Sequence, residues 1–296
     1  MELRDIEIFL TLAEELHFGR TAARLYVSQA RVSQAISQQE RRIGTPLFDR
    51  SNRRQVRLTP VGQQLRDDLL PVYAGLRESL ERARMASRGI NARLRVGMLP
   101  FNTHDLHPYW RAFRDRHPHW ELQLRRAPFI DPFARLRSGD LDVLIAWLPV
   151  EEPDLTVGPV LFTDPRVLAV SAEHELADRP SVPLEALGDL PHATAPHMPD
   201  YWEDSYLPFH TPCGQTIERI EPIANADELI HLVSTGEIAH NFPAHVTRYW
   251  AMPHLRWLPM PDMPHLTYAL VWHTEAETDL IRALAQTIHD LGPTNG

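Results

Sequence analysis

The first ninety residues place hydrophobic side chains at three- and four-residue steps, which is the spacing of one buried face of an α-helix. This spacing predicts helices over residues 3–16 and 20–25 and a third helix that starts after Ser28, a good N-cap, and ends at Gly44. Residues 45–59 contain a turn-like pair followed by alternating hydrophobic positions, which predicts a small two-stranded wing. The order of these elements predicts a winged helix-turn-helix.

A long helix is predicted after the wing, because Thr59 and Pro60 form a capping residue followed by a proline at the first helical position. The helix should continue to about residue 87, with a bend or local break at Pro71, and Gly89 should end both the helix and the domain. Its apolar residues form a seam that suits pairing with a second copy of the chain. These residues are Val61, Leu65, Leu69, Val72, Leu76, Leu80 and Ala83.

The hydrophobic pattern changes from residue 93 onward, where short apolar runs alternate with helical stretches. Such alternation predicts an α/β domain built on a mostly parallel sheet. The predicted strands are Leu94–Leu99, Leu122–Leu124, Val143–Leu148, Val167–Val170 and Tyr268–Trp272. The predicted helices are Tyr109–Arg116, Phe133–Ser138, Glu228–Ser234 and Asp279–Asp290.

The overall formal charge of −9 argues against a nucleic-acid partner until the chain is divided. Residues 1–95 carry 17 arginines against 11 acidic residues, whereas the remainder carries 13 against 28. A basic first third joined to an acidic remainder is expected when only one domain touches a polyanion. All 30 basic residues are arginine, whose guanidinium suits phosphate and guanine because it can donate two hydrogen bonds at once.

The third predicted helix has one buried face and one polar face, whose glutamine, serine, alanine and arginine side chains can meet base edges in the major groove. A solvated polar face is the alternative. The wing favours DNA, because it concentrates arginines that could neutralise phosphates and enter a minor groove, with Asp49 as the only acid between Arg41 and Leu58. The candidate DNA-binding residues are Gln29, Ala30, Arg31, Ser33, Gln34, Ser37 and Arg41 on the helix, and Arg50, Arg53 and Arg54 on the wing.

Other classes of protein have less support. The chain starts without an apolar signal-peptide core, and no stretch reaches membrane-spanning length, so a cytoplasmic protein is expected. Cys213 is the only cysteine, which excludes an intrachain disulfide and a cysteine metal cage. No phosphate loop, nucleophile elbow or dinucleotide fingerprint is present, so neither an enzyme nor a cofactor is predicted. Fifteen of the 16 histidines follow residue 95, which leaves a metal-responsive or pH-responsive sensor as an alternative.

Residues 3–65 resemble the N-terminal domain of the LysR-type transcriptional regulators. The resemblance rests on Phe18, Arg20, Ala22, Arg24, Leu25, Val27-Ser28-Gln29, Val32-Ser33, Ile36, Glu40, Ile43-Gly44, Pro46-Leu47-Phe48, Arg50, Arg57-Leu58-Thr59 and Gly62. It departs at His17 and Thr21, where serine and alanine are usual, and at Gln39, which replaces a core leucine. The resemblance implies that Gln29, Ala30, Ser33 and Gln34 face base edges and that Arg53 and Arg54 lie on the wing.

Residues 93–292 resemble, more weakly, the effector-binding domain of the same family, which shares the fold of periplasmic binding proteins. The matching segments are Leu94-Arg95-Val96-Gly97, Leu136-Arg137-Ser138-Gly139-Asp140-Leu141-Asp142-Val143, His174-Glu175-Leu176-Ala177 and Leu232-Val233-Ser234-Thr235-Gly236. The expected domains are residues 1–59 for DNA binding, 60–89 for the linker helix and 90–296 for effector binding. Within the last domain, one subdomain would comprise 93–163 with 268–292 and the other 164–267, with a ligand in the cleft between them.

By analogy with the family, loops from both subdomains should line this cleft. Helix N-termini aimed into it would favour a carboxylate, and the aromatic side chains would suit an aromatic or otherwise apolar effector, although core packing is the alternative for each of them. The expected lining residues are Pro100, Phe101, Asn102, Thr103, Pro128, Phe129, Ile130, Trp147, His197, Trp202, Asn225 and Asp227.

The sequence is therefore interpreted as a sequence-specific DNA-binding transcriptional regulator whose activity a small-molecule effector modulates. Two chains would pair through the linker helix on a pseudo-palindromic operator of double-stranded DNA. The resemblance further implies a tetramer of two such dimers and RNA polymerase as a partner. A solute-binding protein of transport is the alternative that the second domain alone suggests, and the arginine-rich first domain disfavours it.

Overall fold

The computed structural model describes residues 2–50, 56–195, 198–223 and 225–295. The chain divides into two compact units, Met1–Asn91 and Ala92–Gly296. None of the described helices combines the length and the apolar composition that crossing a membrane requires.

In the described part of the first unit, three helices precede a small wing and a long fourth helix. The helices are α1 (Leu3–Glu15), α2 (Phe18–Arg24), α3 (Gln29–Ile43) and α4 (Pro60–Ala86), and the wing strands are β1 (Phe48–Asp49) and β2 (Arg57–Leu58). The two wing strands are antiparallel. These elements confirm the prediction, except that α2 begins two residues early, because the His17 side chain caps it by accepting the backbone N–H of Arg20.

Local capping decides where α3 and α4 begin and end. The Ser28 hydroxyl accepts a backbone N–H of the first turn of α3 at 3.2 Å, and Gly44 ends that helix in the left-handed conformation with φ of 88°. The Thr59 hydroxyl accepts the backbone N–H of Gly62 at 3.0 Å. A Cβ on Gly62 would lie 2.0 Å from the carbonyl oxygen of Leu47, so only glycine lets the first turn of α4 pack against the segment that leads into the wing.

The long helix α4 runs as one element past Pro71, where we predicted a bend or local break. Pro71 removes one backbone donor, the one that would bond to the carbonyl of Asp67, and the helix-forming residues on both sides continue the helix through it. Ser87 caps the helix, and Gly89 turns the chain with φ of 70°. The end of the helix therefore lies where the sequence predicted it.

The core of the first unit lies between α1 and α3 and extends to the wing. Ile8 and Phe9 of α1 and Val32 and Ile36 of α3 are fully buried in it. Phe9 also packs edge to face against Phe48 of β1, with 5.6 Å between the ring centroids. Because one face of α3 is committed to this core, the opposite face is held toward solvent.

The second unit contains all the strands after the wing and the remaining helices. Its strands are β3 (Ala92–Met98), β4 (Trp120–Arg126), β5 (Val143–Trp147), β6 (Leu155–Asp164), β7 (Arg166–Ser171), β8 (His192–Thr194), β9 (Arg219–Pro222), β10 (His240–Pro243), β11 (Leu255–Pro259), β12 (Leu266–His273) and β13 (Thr294–Asn295). Its α-helices are α5 (His107–Arg116), α6 (Ala134–Arg137), α7 (Asp200–Tyr206), α8 (Ala226–Thr235), α9 (Val246–Tyr249) and α10 (Asp279–Leu291), and its 3₁₀ turns are Leu184–Asp189 and Thr274–Ala276.

The described strands of the second unit form a six-stranded sheet, a three-stranded sheet and one separate pair. The larger sheet has the order β13-β6-β12-β5-β3-β4, the smaller has the order β10-β7-β11, and β8 pairs with β9. The prediction of a mostly parallel sheet was wrong, because four of the eight pairings in this unit are antiparallel. Two of them come from β12, which follows the smaller sheet in the chain and enters the larger one between β5 and β6 in the opposite direction. The other two lie in the smaller sheet, where β7 is antiparallel to both β10 and β11.

Each sheet of the second unit has its own core. Buried side chains of α5 and α10, such as Phe113 and Leu284, cover the larger sheet. The smaller sheet is buried on both faces, with Leu168 of β7 on one side and Val167 on the other. Burial on both faces explains why β7 reads in the sequence as a continuous apolar run rather than as an alternating one.

Candidate functional site

The exposed face of α3 carries the residues predicted to contact DNA. Gln29, Ala30, Gln34 and Arg41 are exposed, and Ser33 is half-buried. Ser37 and Arg31, two further predicted positions, are also half-buried. A polar helix face of this width fits the major groove, and its first turns are the part that usually reaches base edges.

Arg31 is engaged within the first unit. Its guanidinium pairs with the carboxylate of Asp5 in α1 at 2.8 Å. Burial would raise the pKa of that carboxyl, but the hydrogen bond from Arg31, a second one from the backbone of Glu2 and the charge of Arg31 lower it below its ordinary value. The Gln39 amide adds a 2.7 Å hydrogen bond to the backbone carbonyl of Asp5. Arg31 and Gln39 therefore fix α3 against α1.

Glu40 connects the end of α3 to the wing. One of its carboxylate oxygens accepts the backbone N–H groups of Leu47 and Phe48 at 2.9 and 3.3 Å, and the other pairs with Arg50 at 3.0 Å. The guanidinium of Arg50 also lies over the ring of Phe18, 5.0 Å from its centroid. Arg50 is thus held at the base of the wing. The other two predicted wing residues, Arg53 and Arg54, lie outside the described residues.

Tyr26 is a residue of this surface that the sequence pattern did not single out. It lies in the turn between α2 and α3 with φ of 54°, a left-handed conformation that is costly for a tyrosine, and its side chain is 96% exposed. An aromatic side chain in such a position, directly before the recognition helix, can reach the sugar-phosphate backbone. The positive φ could not be read from the sequence, because a tight turn normally takes Asn or Gly at such a position.

The predicted apolar seam of α4 divides into two sets in the structure. Leu65 and Leu69 are half-buried and pack with Tyr73 against the core of the first unit. The other set remains exposed on the described residues of this unit, although its members are apolar. It comprises Val61, Val72, Leu76 and Leu80, which are 41–65% exposed, and the exposed Ala83. Leu70, which was not part of the predicted seam, is 49% exposed on the same helix.

A cavity of about 90 Å³ lies in the second unit between the two sheets, and its walls are mostly apolar. Phe129 and Trp147 line it on the side of the larger sheet. Leu229, Phe242 and Trp250 line it on the side of the smaller sheet. Of the predicted effector-binding residues, the structure brings Pro100, Phe101, Phe129 and Trp147 together here. Because residues from 99 to 268 meet in this space, it is the candidate effector site.

Seven other predicted effector-binding residues do not line the cavity. Trp202 is fully buried behind it, stacked on Trp147 with 3.6 Å between ring centroids, and donates its indole N–H to the Trp147 carbonyl at 2.9 Å. Asn225 caps α8 by accepting the backbone N–H of Glu228, and Asp227 is exposed beside it. The remaining four are Asn102, which is buried, Thr103 and Ile130, which are half-buried, and Pro128, which is exposed. His197 lies outside the described residues.

The loop that carries Phe101 is held by a buried pair that sequence reasoning missed. The backbone N–H of Phe101 donates to Nε2 of His245 at 3.0 Å, and Nδ1 of His245 lies 2.6 Å from a carboxylate oxygen of Asp164. The same carboxylate oxygen accepts the backbone N–H of His245 at 3.0 Å. His245 follows β10 and Asp164 ends β6, so this pair joins the cavity loop to both sheets.

Several polar side chains line the cavity, and their surroundings set their charges. Glu203 pairs with Arg219 at 2.8 Å and accepts the hydroxyl of Thr194 at 2.8 Å. Burial raises the pKa of Tyr206 to about 12 and that of Tyr268 well above its ordinary value, so both phenols are protonated at neutral pH. Burial likewise lowers the pKa of His240 well below its ordinary value, so that ring is neutral.

Arg126 lies at the mouth of the cavity, at the end of β4. Its guanidinium lies over the ring of Phe101, 3.7 Å from the centroid, and Nη1 donates to the carbonyls of Leu99 and Pro100 at 3.0 and 2.8 Å. Sequence reasoning passed over this residue. The signal that could have found it is its position at the carboxyl end of a parallel strand, the edge at which α/β sheets bind ligands.

A metal site receives no support from the part of the chain that the structure describes. Within those residues, no group of three or more histidine, cysteine or acidic side chains is placed to hold an ion. His104 and His107, which the sequence spaces three apart, have ring centroids 6.4 Å from each other.

Comparisons with known proteins agree with this arrangement of two units. Residues 3–63 match the family model described as bacterial regulatory helix-turn-helix protein, lysR family, and residues 87–292 match that of the LysR substrate binding domain. The chain is 31% identical over 240 residues to the HTH-type transcriptional regulator AlsR of Bacillus subtilis, covering 80% of this chain and 78% of AlsR. It is 30% identical to the uncharacterized HTH-type transcriptional regulator YnfL of Escherichia coli over 92% of both chains.

A solved structure shows the same fold over nearly the whole chain. Full-length CbnR in complex with its target DNA superposes with a TM-score of 0.68 and 18% identity, covering 98% of this chain and 99% of CbnR. With both family models matched across most of its length, the chain belongs to the LysR family of transcriptional regulators. It is a DNA-binding regulator with a substrate-binding domain for an effector, and not an enzyme.

Proposed function

We propose that the protein regulates transcription by binding an operator of two related half-sites, with α3 of each copy in a major groove. The observation that carries this proposal is the first half of α3, where Gln29, Ala30, Ser33 and Gln34 present base-reading groups from a helix that Ser28 caps. The single acid of α3, Glu40, is turned toward the wing by its two backbone N–H bonds. The face therefore offers no carboxylate to repel the phosphates of DNA.

The exposed apolar set of α4 supports a dimer. Val72, Leu76 and Leu80 follow each other at four-residue steps and are each at least 41% exposed. A second α4 would remove this surface from water, and a two-fold axis through the pair would present two α3 helices to a pseudo-palindromic operator. A tetramer of two such dimers is the assembly we propose for the complete regulator, following the family resemblance.

The cavity of the second unit is the proposed effector site. Binding there would shift the equilibrium between two arrangements of the α3 helices in the assembly. The size of this shift is set by the difference in the effector's affinity for the two arrangements. Regulation of transcription also implies RNA polymerase as a partner and the bacterial cytoplasm, where the chromosome lies, as the location. These two statements follow from the regulatory role and not from a contact in the structure.

The test begins with the full chain and a library of random DNA duplexes. Selection should yield a sequence with two inverted half-sites, and affinity for it should fall steeply as salt is raised, because arginines displace counterions from phosphates. Replacing Leu76 and Leu80 together by glutamate should leave a monomer that binds one half-site weakly. Enrichment of no sequence, or an affinity that salt leaves unchanged, would contradict the proposal.

A control substitution on the same helix distinguishes loss of the dimer interface from loss of stability. Replacing Leu65 and Leu69 by alanine removes a similar apolar area from the half-buried set that packs within the first unit. We expect that variant to lose stability and not dimerisation. A dimer that survives glutamate at both exposed positions would show that α4 does not form the interface.

A further inference from the structure

The charged side chains that line the cavity leave one positive charge without an opposite charge beside it. Arg126 is one of two charged side chains that line it, and the other, Glu203, is already neutralised by Arg219. Tyr206 and Tyr268 add no negative charge, because burial holds the pKa of both phenols above the neutral range. The lining therefore carries a net positive charge at one point, the mouth at which Arg126 lies.

The guanidinium of Arg126 has N–H groups that donate no hydrogen bond among the described residues. Nη1 serves the carbonyls of Leu99 and Pro100, and the structure describes no acceptor for Nε or Nη2. Among the described residues, no carboxylate lies within ion-pair distance of this guanidinium, whereas Arg219 pairs with one carboxylate and Arg137 with two. The guanidinium lies against the ring of Phe101, and its free edge, formed by Nε and Nη2, has two parallel N–H groups that suit a planar anion.

The N-terminus of α8 also brings positive potential to the cavity, since Ala226 lines it. The Asn225 side chain already occupies one of its free backbone donors. Asp227 and Glu228 stand in the first turn, where negative charges offset the helix dipole. Arg126 is therefore the stronger partner for an anion.

We propose that Arg126 is the anchor for the effector and that the effector is a small apolar monocarboxylate. This inference rests on the proposed role of the cavity as the effector site. The carboxylate pairs with the free edge of the guanidinium at the mouth, and an aromatic or alicyclic body fills the space between Phe129, Trp147 and Phe242. A single uncompensated cation suits a monoanion, because a second negative charge in this apolar space would have no partner.

The test measures charge discrimination with three matched sets of small molecules and the full chain. The sets are benzoate with benzamide and benzylamine, phenylacetate with phenylacetamide and phenethylamine, and cyclohexanecarboxylate with its amide and its methylamine. Dissociation constants come from ligand-observed NMR and tryptophan fluorescence. In at least one set we expect the acid to bind at least about tenfold more tightly than the amide, with the amine weakest.

Variants of Arg126 separate anion binding from the packing of the loop. Arg126→Gln keeps donors for the two loop carbonyls and loses the charge, so the acid-to-amide ratio should fall to within about twofold. Arg126→Lys keeps the charge and should retain part of the ratio. Arg125→Gln is the control, because it makes the same change of charge at the exposed neighbour on β4 and should leave the ratio unaltered.

Three results would overturn the proposal: an acid preference that survives Arg126→Gln, a preference for the amides or amines, or no binding of any acid up to about 10 mM. Adding each bound acid to the complex with selected DNA separates this inference from the proposed function. An acid that binds through Arg126 and leaves the DNA complex unchanged would refute the effector role and keep the anion site. If only neutral molecules changed the DNA complex, the anion site would be refuted and the effector role of the cavity would stand.

Discussion

The proposed DNA-contacting face and the proposed effector cavity are constructed in opposite ways. The face belongs to one helix, and its residues fall within the fifteen positions of α3. The cavity collects its walls from residues as far apart as Leu99 and Tyr268, which the topology of two sheets brings together. A face of the first kind follows from local spacing and capping, whereas a site of the second kind exists only once the whole unit has folded.

The two regions also differ in how they hold their charges. In the first unit, ion pairs such as that of Glu40 with Arg50 lie at the surface and connect α3 to the wing, the elements proposed to meet DNA. In the second unit, groups near the cavity are buried in their neutral forms, as the lowered pKa of His192 and of His240 shows. The first region is therefore expected to respond to salt and the second to acid.

The largest effect should come from acid on the second unit. Burial lowers the pKa of His192 to about 4, below the ordinary value of 6.5 that it regains on unfolding. Between pH 6.5 and 4 the unfolded chain binds a proton that the folded one cannot, so the free energy of unfolding should fall by about 3 kcal/mol as the pH drops through this window. Tryptophan fluorescence during denaturation reports this unit alone, because all seven tryptophans follow residue 92.

His240 should add to this loss in the same direction, since burial also lowers its pKa. Replacing His192 by glutamine removes one titrating group and should make the dependence on pH shallower. The matched control replaces the exposed His254 by glutamine and should change nothing. A stability that stays constant from pH 6.5 to 4 in the original chain would contradict the buried, neutral state of these rings.

The next effect concerns the junction between α3 and the wing. Glu40→Ala leaves the backbone N–H groups of Leu47 and Phe48 without their acceptor, which should cost about 2 kcal/mol in the free energy of unfolding of the first unit. DNA affinity should fall at least about tenfold, because the wing and α3 lose their fixed relation. Glu14→Ala, which breaks only the exposed pair with Arg24, is the control for the loss of a carboxylate.

Urea denaturation followed by helical circular dichroism and titration with the selected DNA are the two measurements for Glu40. Glutamine at this position keeps an acceptor for the backbone groups and should recover most of the stability. A Glu40→Ala variant as stable and as tightly bound as the original chain would show that the wing does not depend on this carboxylate.

A smaller effect, with opposite signs in two assays, is expected at Tyr26. Tyr26→Asn relieves a left-handed backbone conformation that asparagine tolerates, so the free energy of unfolding should rise by about 1 kcal/mol. The same change removes an exposed ring beside α3 and should weaken binding a few-fold on every DNA sequence, as the loss of a backbone contact does. Equal affinity of both proteins for DNA would remove Tyr26 from the interface.

The sequence was sufficient for the first region because its signals are local. Ser28, Gly44 and the Thr59-Pro60 pair mark helix ends within a few residues of themselves, and the structure confirms all of these ends. The seam of α4 was only partly predictable. Spacing shows that Leu65 and Leu76 share a face, but only the packing of α1 reveals that the former is covered within its own unit.

The sequence was insufficient for the cavity because its residues are distant in the chain. Trp202 was predicted to line the cleft since it is aromatic, yet its ring lies one layer behind Trp147. Asn225 was predicted as a ligand contact although its position before α8 makes it a cap. Arg126 was missed although it ends a predicted strand, and His245 was missed because its contact with the Phe101 loop depends on β10 ending near that loop, which no local pattern encodes.

The most direct test of this account compares base reading with general DNA affinity. Gln29→Ala, Ser33→Ala and Gln34→Ala are each measured on the selected operator and on a scrambled duplex of equal length and composition, at one salt concentration. Gln64→Ala, at an exposed glutamine of α4, is the control. We predict that the preference for the operator falls about tenfold while affinity for the scrambled duplex is unchanged. Equal losses on both duplexes, or no loss on either, would contradict the claim that this face of α3 reads the sequence.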